Sequence, residues 1–195
     1  MVYRPIIEKE CYQLDGSRFQ GTNCGPSADS VFIRRATHGS RRPSSRGIRT
    51  RTGDVSGGTN LRQLHNVNVN DFKIRGILLQ PIAWDELLAH FKAGRGALLD
   101  IWYGVLRPTS HDASRRKYSD NHRIFVNHMT KYGNLRYFDP LADGRYIGCP
   151  KGWQSIKPAV LKSAAGKLDL SGLGTSAYRP LGDGKAYALL LPKGV

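Results

Sequence analysis

Asn23-Cys24-Gly25-Pro26-Ser27-Ala28 is the stretch on which the fold of this chain turns. Ala28, Val31, Phe32 and Ala36 fall at i, i+3, i+4 and i+8, the spacing of one helical face. Pro26 suits a first turn, where its missing N–H costs nothing, and Gly39 suits the C-terminal stop. The pattern predicts a helix that begins at Cys24. Unsatisfied N–H groups and the positive end of the helix dipole favour a thiolate there, and a thiolate so placed is a nucleophile. The competing role is a buried structural cysteine, the usual fate of a free thiol.

Outward from that helix, seven arginines stand at 34, 35, 41, 42, 46, 49 and 51 with no acid among them. Gly39–Gly58 is rich in Gly, Ser, Arg and Thr and reads as a long exposed basic loop. Thr59 is placed to cap a short helix carrying Leu61 and Leu64, and Phe72–Leu79 reads as extended. Pro81 introduces a helix with Trp84, Leu87, Leu88 and Phe91 on one face and Gly94 as its stop. His90 sits beside that apolar face and is expected to pack there. Ala97–Leu106 reads as a buried strand, and a polar loop holding Arg115-Arg116-Lys117 follows. His122–Tyr132 and Leu135–Phe138 read as a hairpin through Gly133-Asn134. A further helix starts near Pro158, and Ala186–Leu191 reads as a closing strand. Helices early and antiparallel strands late predict an α+β fold rather than alternating α/β.

A cysteine nucleophile needs a base, and the base needs an acceptor to orient its other ring nitrogen. The hairpin offers both. Strand alternation puts His122, Ile124, Val126 and His128 on one face, so that an imidazole faces the Cys24 helix. Asp139-Pro140 ends the second strand near the same edge. A tight two-residue turn would set His128 opposite Asp139, whereas a looser one returns Asp139 to His122.

Asn23-Cys24-Gly25-Pro26, His122-Arg-Ile-Phe-Val and Tyr137-Phe138-Asp139-Pro140, in this order and spacing, resemble the C39-like branch of the papain-like cysteine peptidases. The resemblance covers roughly residues 13–165. It implies a papain-like α+β fold, with the nucleophile helix packed on an antiparallel sheet. It also implies Cys24 as nucleophile, His122 as general base and acid, and Asp139 as orienter, following general triad logic. Such enzymes place a glutamine shortly before the cysteine for the oxyanion hole. Gln20, four residues ahead, is the better candidate here, and Gln13 lies eleven ahead. Arg123 departs from the aromatic or aliphatic residue that often follows the histidine, and Gly39–Gly58 looks like an insertion.

The length of 195 residues suits one domain spanning 1–195, with the basic loop at about 39–58 inserted in it. No apolar run is long enough to span a bilayer, so no membrane insertion is expected. The N-terminus carries acids early and lacks the apolar core of a signal peptide. Cys11, Cys24 and Cys149 are too few and scattered for a disulfide framework or a zinc site, which favours a reducing compartment. Phosphate-loop, zinc-helix and Gly-x-Ser-x-Gly motifs are absent, and neither cofactor nor metal is expected. The net charge of +15 attracts polyanions.

Three functions compete. The first is a thiol hydrolase acting on a peptide or isopeptide bond of a protein substrate. The second is an inactive papain-like module that holds an anionic partner. The third, a nucleic-acid binder, rests on charge alone. The resemblance extends to bacteriophage-encoded domains found in virions, especially tails, which implies a cytoplasmic or virion-associated protein whose partners are virion proteins or anionic cell-wall polymer.

Overall fold

A computed structural model describes residues 2–13, 18, 20–53, 58–106, 121–142, 152–166 and 185–195. The fold is α+β, built on a six-stranded antiparallel sheet. In chain order the elements are α1 (Cys24–Ala36), α2 (Ser45–Arg51), α3 (Leu61–Asn70), β1 (Leu78–Ala83), α4 (Trp84–Lys92), β2 (Ala97–Trp102) and α5 (Tyr103–Leu106). They continue with β3 (Asn121–Met129), β4 (Leu135–Phe138), β5 (Trp153–Ile156), α6 (Pro158–Gly166) and β6 (Lys185–Leu190). The strand order is β1-β6-β2-β3-β4-β5.

The sheet is covered on both faces. Leu98, Phe125, Phe138 and Leu189 pack against Ala28, Val31 and Phe32 of α1 and Leu61 and Leu64 of α3. Phe32 meets Phe125 edge to face, with ring centroids 6.0 Å apart. Alternate residues Leu99, Ile101, Ile124 and Val126 turn to the other face, against Leu87 and Phe91 of α4 and Leu161 of α6. Burial on both faces explains why β2 reads as an apolar run broken only by Asp100 rather than as an alternation.

Several expected boundaries move. The Gly39–Gly58 segment is not a loop throughout, because it contains α2, whose N-cap Ser44 accepts a hydrogen bond from Gly47 N–H at 3.0 Å. Arg41, Arg42, Arg46 and Arg51 are exposed, but Arg34, Arg35 and Arg49 are buried, so the arginine run is not one solvated surface. The cap of α3 is Asn60 rather than Thr59, in a reciprocal capping box with Gln63. Pro81 lies inside β1 and does not start α4, a position tolerated because β1 is an edge strand. The chain also leaves the sheet at Trp102, and Tyr103–Leu106 is a helical turn. His90 packs as expected, buried and hydrogen-bonded to Gly96 O at 3.1 Å.

The β3–β4 connection is the looser of the two turns. Met129 pairs with Leu135, Gly133 takes φ +78°, and Thr130 N–H donates to Asn134 O at 2.7 Å. A register shift between Val126 and His128 sets His128 opposite Arg136, away from Asp139. The buried residue at this shift, Asn127, is held through its side chain by Arg35 Nε at 3.0 Å. Among the described residues, no helix is long and apolar enough to cross a membrane. Cys149, Arg115-Arg116-Lys117 and Gly57 lie outside the described residues.

Candidate active site

Cys24 is the first residue of α1, where helix N–H groups have no intrahelical acceptor. Its residue is half-buried, whereas His122 and Asp139 are 2% and 3% exposed. His122 Nε2 donates to Asp139 Oδ1 at 2.9 Å. The Cys24 thiol lies close enough to the same imidazole for each to shift the other's titration, and with Nε2 committed to Asp139, Nδ1 is the nitrogen left for the thiol. The structure therefore brings together Cys24, His122 and Asp139, which are 98 and 17 residues apart in successive steps along the chain.

The route to that meeting differs from simple alternation. His122 does not lie on the face that packs α1. Its neighbours Ile124 and Val126 join the opposite cluster, and its ring stands edge-on to Tyr103 at 4.7 Å, on that same side. Cys24 reaches it because both residues sit at ends: His122 is second in β3, and Cys24 is first in α1. Arg123, turned towards α1, completes the rim. Its charge and its main-chain N–H both favour the thiolate of Cys24.

Asp139 is fixed from several directions. Tyr103 Oη donates to Oδ2 at 3.1 Å, and Leu141 N–H donates to Oδ1 at 2.9 Å. The next residue, Pro140, accepts through its carbonyl from Gln13 N–H at 3.0 Å. A carboxylate held this way has one orientation to offer the imidazole.

The segment before Cys24 is held by Arg49. Its Nε donates to Asn23 Oδ1 at 3.0 Å, and its Nη2 donates to Thr22 O and Oγ1 at 2.8 and 2.7 Å. Asn23 does not cap α1 through its side chain; it anchors Arg49 instead. Behind Gly25 stands Arg123, paired with Asp100 at 2.5 Å and donating through Nη1 to Thr59 O at 2.7 Å. A Cβ on Gly25 would lie 2.6 Å from Arg123 Nη1 and would clash with Thr59 Oγ1. Close approach, and not a turn, requires glycine here.

Electrostatics favour an ion pair. Burial pushes the Cys24 thiol up, but the His122 hydrogen bond and charge, the Arg123 charge and the Arg123 N–H outweigh it, leaving the thiol below its ordinary value. Burial pulls His122 down, yet the Asp139 bond, the Cys24 bond and the charges of both raise it to about 9. By contrast, burial pushes the Cys11 thiol up, against a weaker hydrogen bond from Ser30. Burial also raises Asp100, opposed by Arg123 and His122. Asp29 rises to about 7 because burial outweighs its bond from Asn68 and the Arg123 charge.

No protein-family model matches this chain, and no curated protein matches it in sequence.

Gln20 opens a 3₁₀ turn, Gln20–Thr22, and its side chain lies outside what the structure describes. Gln13 is buried beside the site, and its Nε2 donates to Gly21 O at 3.1 Å. His128 is half-buried, with Nδ1 against Asn127 Nδ2 at 3.1 Å, and it does not meet Asp139. Sequence reasoning missed Tyr103, because it sits in an apolar run that reads as strand. It also missed Arg49, concealed among similar arginines. Arg123 carried a signal as an unexpected charge beside the histidine. Among the described residues, no group of three or more His, Cys, Asp or Glu side chains is arranged to hold a metal ion.

Proposed function

We propose that this chain is a thiol hydrolase that cleaves a peptide or isopeptide bond, in a papain-like fold of the C39-like type. The observation that carries the reading is a buried histidine bonded to Asp139 at 2.9 Å while engaging a cysteine at a helix N-terminus. Cys24 Sγ attacks the substrate carbonyl, and a C–S bond forms as the carbonyl electron pair moves to oxygen. The Cys24 main-chain N–H faces that oxyanion, with Gln20 as its partner by resemblance. His122 passes its Nδ1 proton to the departing amine, and the C–N bond breaks to leave an acyl-enzyme. His122 then takes a proton from water, whose oxygen displaces Cys24. Asp139 keeps the ring oriented and balances the imidazolium in both steps.

Competitive alkylation with iodoacetamide at about pH 6 tests the reading. A thiolate held by His122 reacts at least about tenfold faster than an ordinary thiol at this pH, because only the thiolate is nucleophilic. The expected order is Cys24 far ahead of Cys11, which is fully buried. His122→Ala should remove the advantage, and Cys24→Ser should abolish hydrolysis in a peptide-library screen with the fold intact. Labelling of Cys24 no faster than free cysteine, or hydrolysis that survives Cys24→Ser, would overturn it.

A further inference from the structure

Eleven residues after Cys24, on the same helix, Arg35 is buried with an unusual set of partners. At a rise of ~1.5 Å per residue it lies about 16 Å along the helix axis from the thiol. Its Nε donates to Asn127 Oδ1 at 3.0 Å, and its Nη2 donates to Gly94 O at 3.1 Å and Val195 O at 2.7 Å. Nη1 is buried and has no hydrogen-bond partner among the described residues. The guanidinium is thus locked in place by side-chain amide and main-chain oxygens, with no Asp or Glu side chain paired with it among the described residues. A buried cation so placed is costly unless a negative charge answers it.

Arg35 lines a cavity of about 490 Å³ at the C-terminal end of α1. Arg95 and Lys193 line it too, and among the described residues no aspartate or glutamate does. Arg95 Nε is likewise buried and without a partner among the described residues. Tyr3 and His38 form one wall, their rings 5.5 Å apart. A tight glycine shapes it: Gly94 has positive φ, and a Cβ on it would come within 2.8 Å of Val2. Positive charge also acts beyond the cavity: burial lowers His128 most, and the charges of Arg35, Arg136 and Arg4 lower it further. A free carboxylate at Val195 would offset one of the three lining charges and leave two.

We propose that this cavity is a binding site for a small molecule carrying a phosphate or diphosphate group, distinct from the Cys24 site. Guanidinium groups match phosphate oxygens through paired N–H donors, and three cations lining one cavity suit a polyanion better than a single carboxylate. The volume exceeds what one phosphate fills, so the ligand has a body beyond its anionic group. Arg35 is fixed beforehand by its three bonds, so little side-chain entropy is lost on binding. Its Nη1 supplies a buried donor with no partner among the described residues, and Arg95 and Lys193 supply the more accessible charges.

Isothermal titration of the full chain with sodium pyrophosphate, at constant ionic strength, tests this. One saturable site is expected, with orthophosphate and sulfate binding more weakly. Arg95→Ala and Lys193→Ala should each weaken pyrophosphate by about tenfold or more, as loss of a charge-assisted hydrogen bond does. Arg46→Ala/Arg51→Ala, which removes two exposed charges elsewhere, should leave the affinity unchanged. Circular dichroism confirms the fold of each variant, and Arg35→Ala is not needed. Equal weakening in the Arg46/Arg51 variant, wild-type affinity in both pocket variants, equal binding of sulfate and pyrophosphate, or no saturation would each overturn the proposal. The outcome is independent of Cys24, whose alkylation rate should be the same in all these variants.

Discussion

Asp29 offers the sharpest quantitative test of the buried polar network behind Cys24. It lies on α1 with no exposure, and Asn68 Nδ2 donates to its Oδ1 at 2.7 Å. Asp29 Oδ2 and Asn68 Oδ1 are both buried acceptors without a partner among the described residues. A proton on Asp29 gives the pair the donor it lacks. This agrees with the rise of Asp29 from 3.8 to about 7. Between those values the native state keeps a proton that the unfolded chain has released, so stability falls as pH rises. At ~1.36 kcal/mol per pH unit the cost reaches about 4 kcal/mol above pH 7. Asp29→Asn retains an acceptor for Asn68, supplies an N–H donor in place of the proton and never ionises. Urea unfolding of both proteins at about pH 4 and about pH 8 isolates the effect, because other titrating groups cancel in the difference. The variant should gain up to ~4 kcal/mol on wild type between the two pH values. A difference that stays constant across this range would mean that native Asp29 ionises like an exposed carboxylate, and the reasoning would fail.

Five other outcomes follow from the geometry. Turnover should fall as pH rises through about 9, where His122 loses the proton the leaving amine needs, while Cys24 alkylation should not fall there. The same raised value stabilises the fold fully below the ordinary histidine range and is lost as pH rises through about 9, an increment that His122→Ala should erase in pH-dependent unfolding. Gly25→Ala should cost about 1–3 kcal/mol in denaturant unfolding and slow Cys24 alkylation, because the methyl displaces Thr59 and Arg123. Arg49→Met should cost about 2–3 kcal/mol and reduce activity, since Thr22 and Asn23 lose their buried donor. Replacing Arg41, Arg42, Arg46 and Arg51 together with Gln should flatten the salt dependence of heparin binding and leave Cys24 alkylation unchanged, because these four are exposed.

Local chemistry along the chain was enough for the α1 and α4 helices, the hairpin and the α+β class. Apolar spacing, Pro26, Gly39 and Gly94 act within a few residues, so their effects are legible without knowing the fold. Cys24 and Asp139 were legible for the same reason, one at a helix start and the other at a strand end. The choice of His122 over His128 was not settled by residue pattern, because it depends on how many residues the 130–134 turn consumes and on the shift at Asn127. That shift is stabilised by Arg35, 92 residues away, a contact no local window contains. The same limit hid the role of Arg49. Its neighbours Arg46 and Arg51 face water, and only the packing of α2 beside the Thr22–Asn23 segment distinguishes it. His122 was expected on the α1 face, yet it meets Cys24 from the other side of the sheet, at its rim. Periodicity assigns a residue to a face; where the ends of two elements converge is decided by tertiary packing.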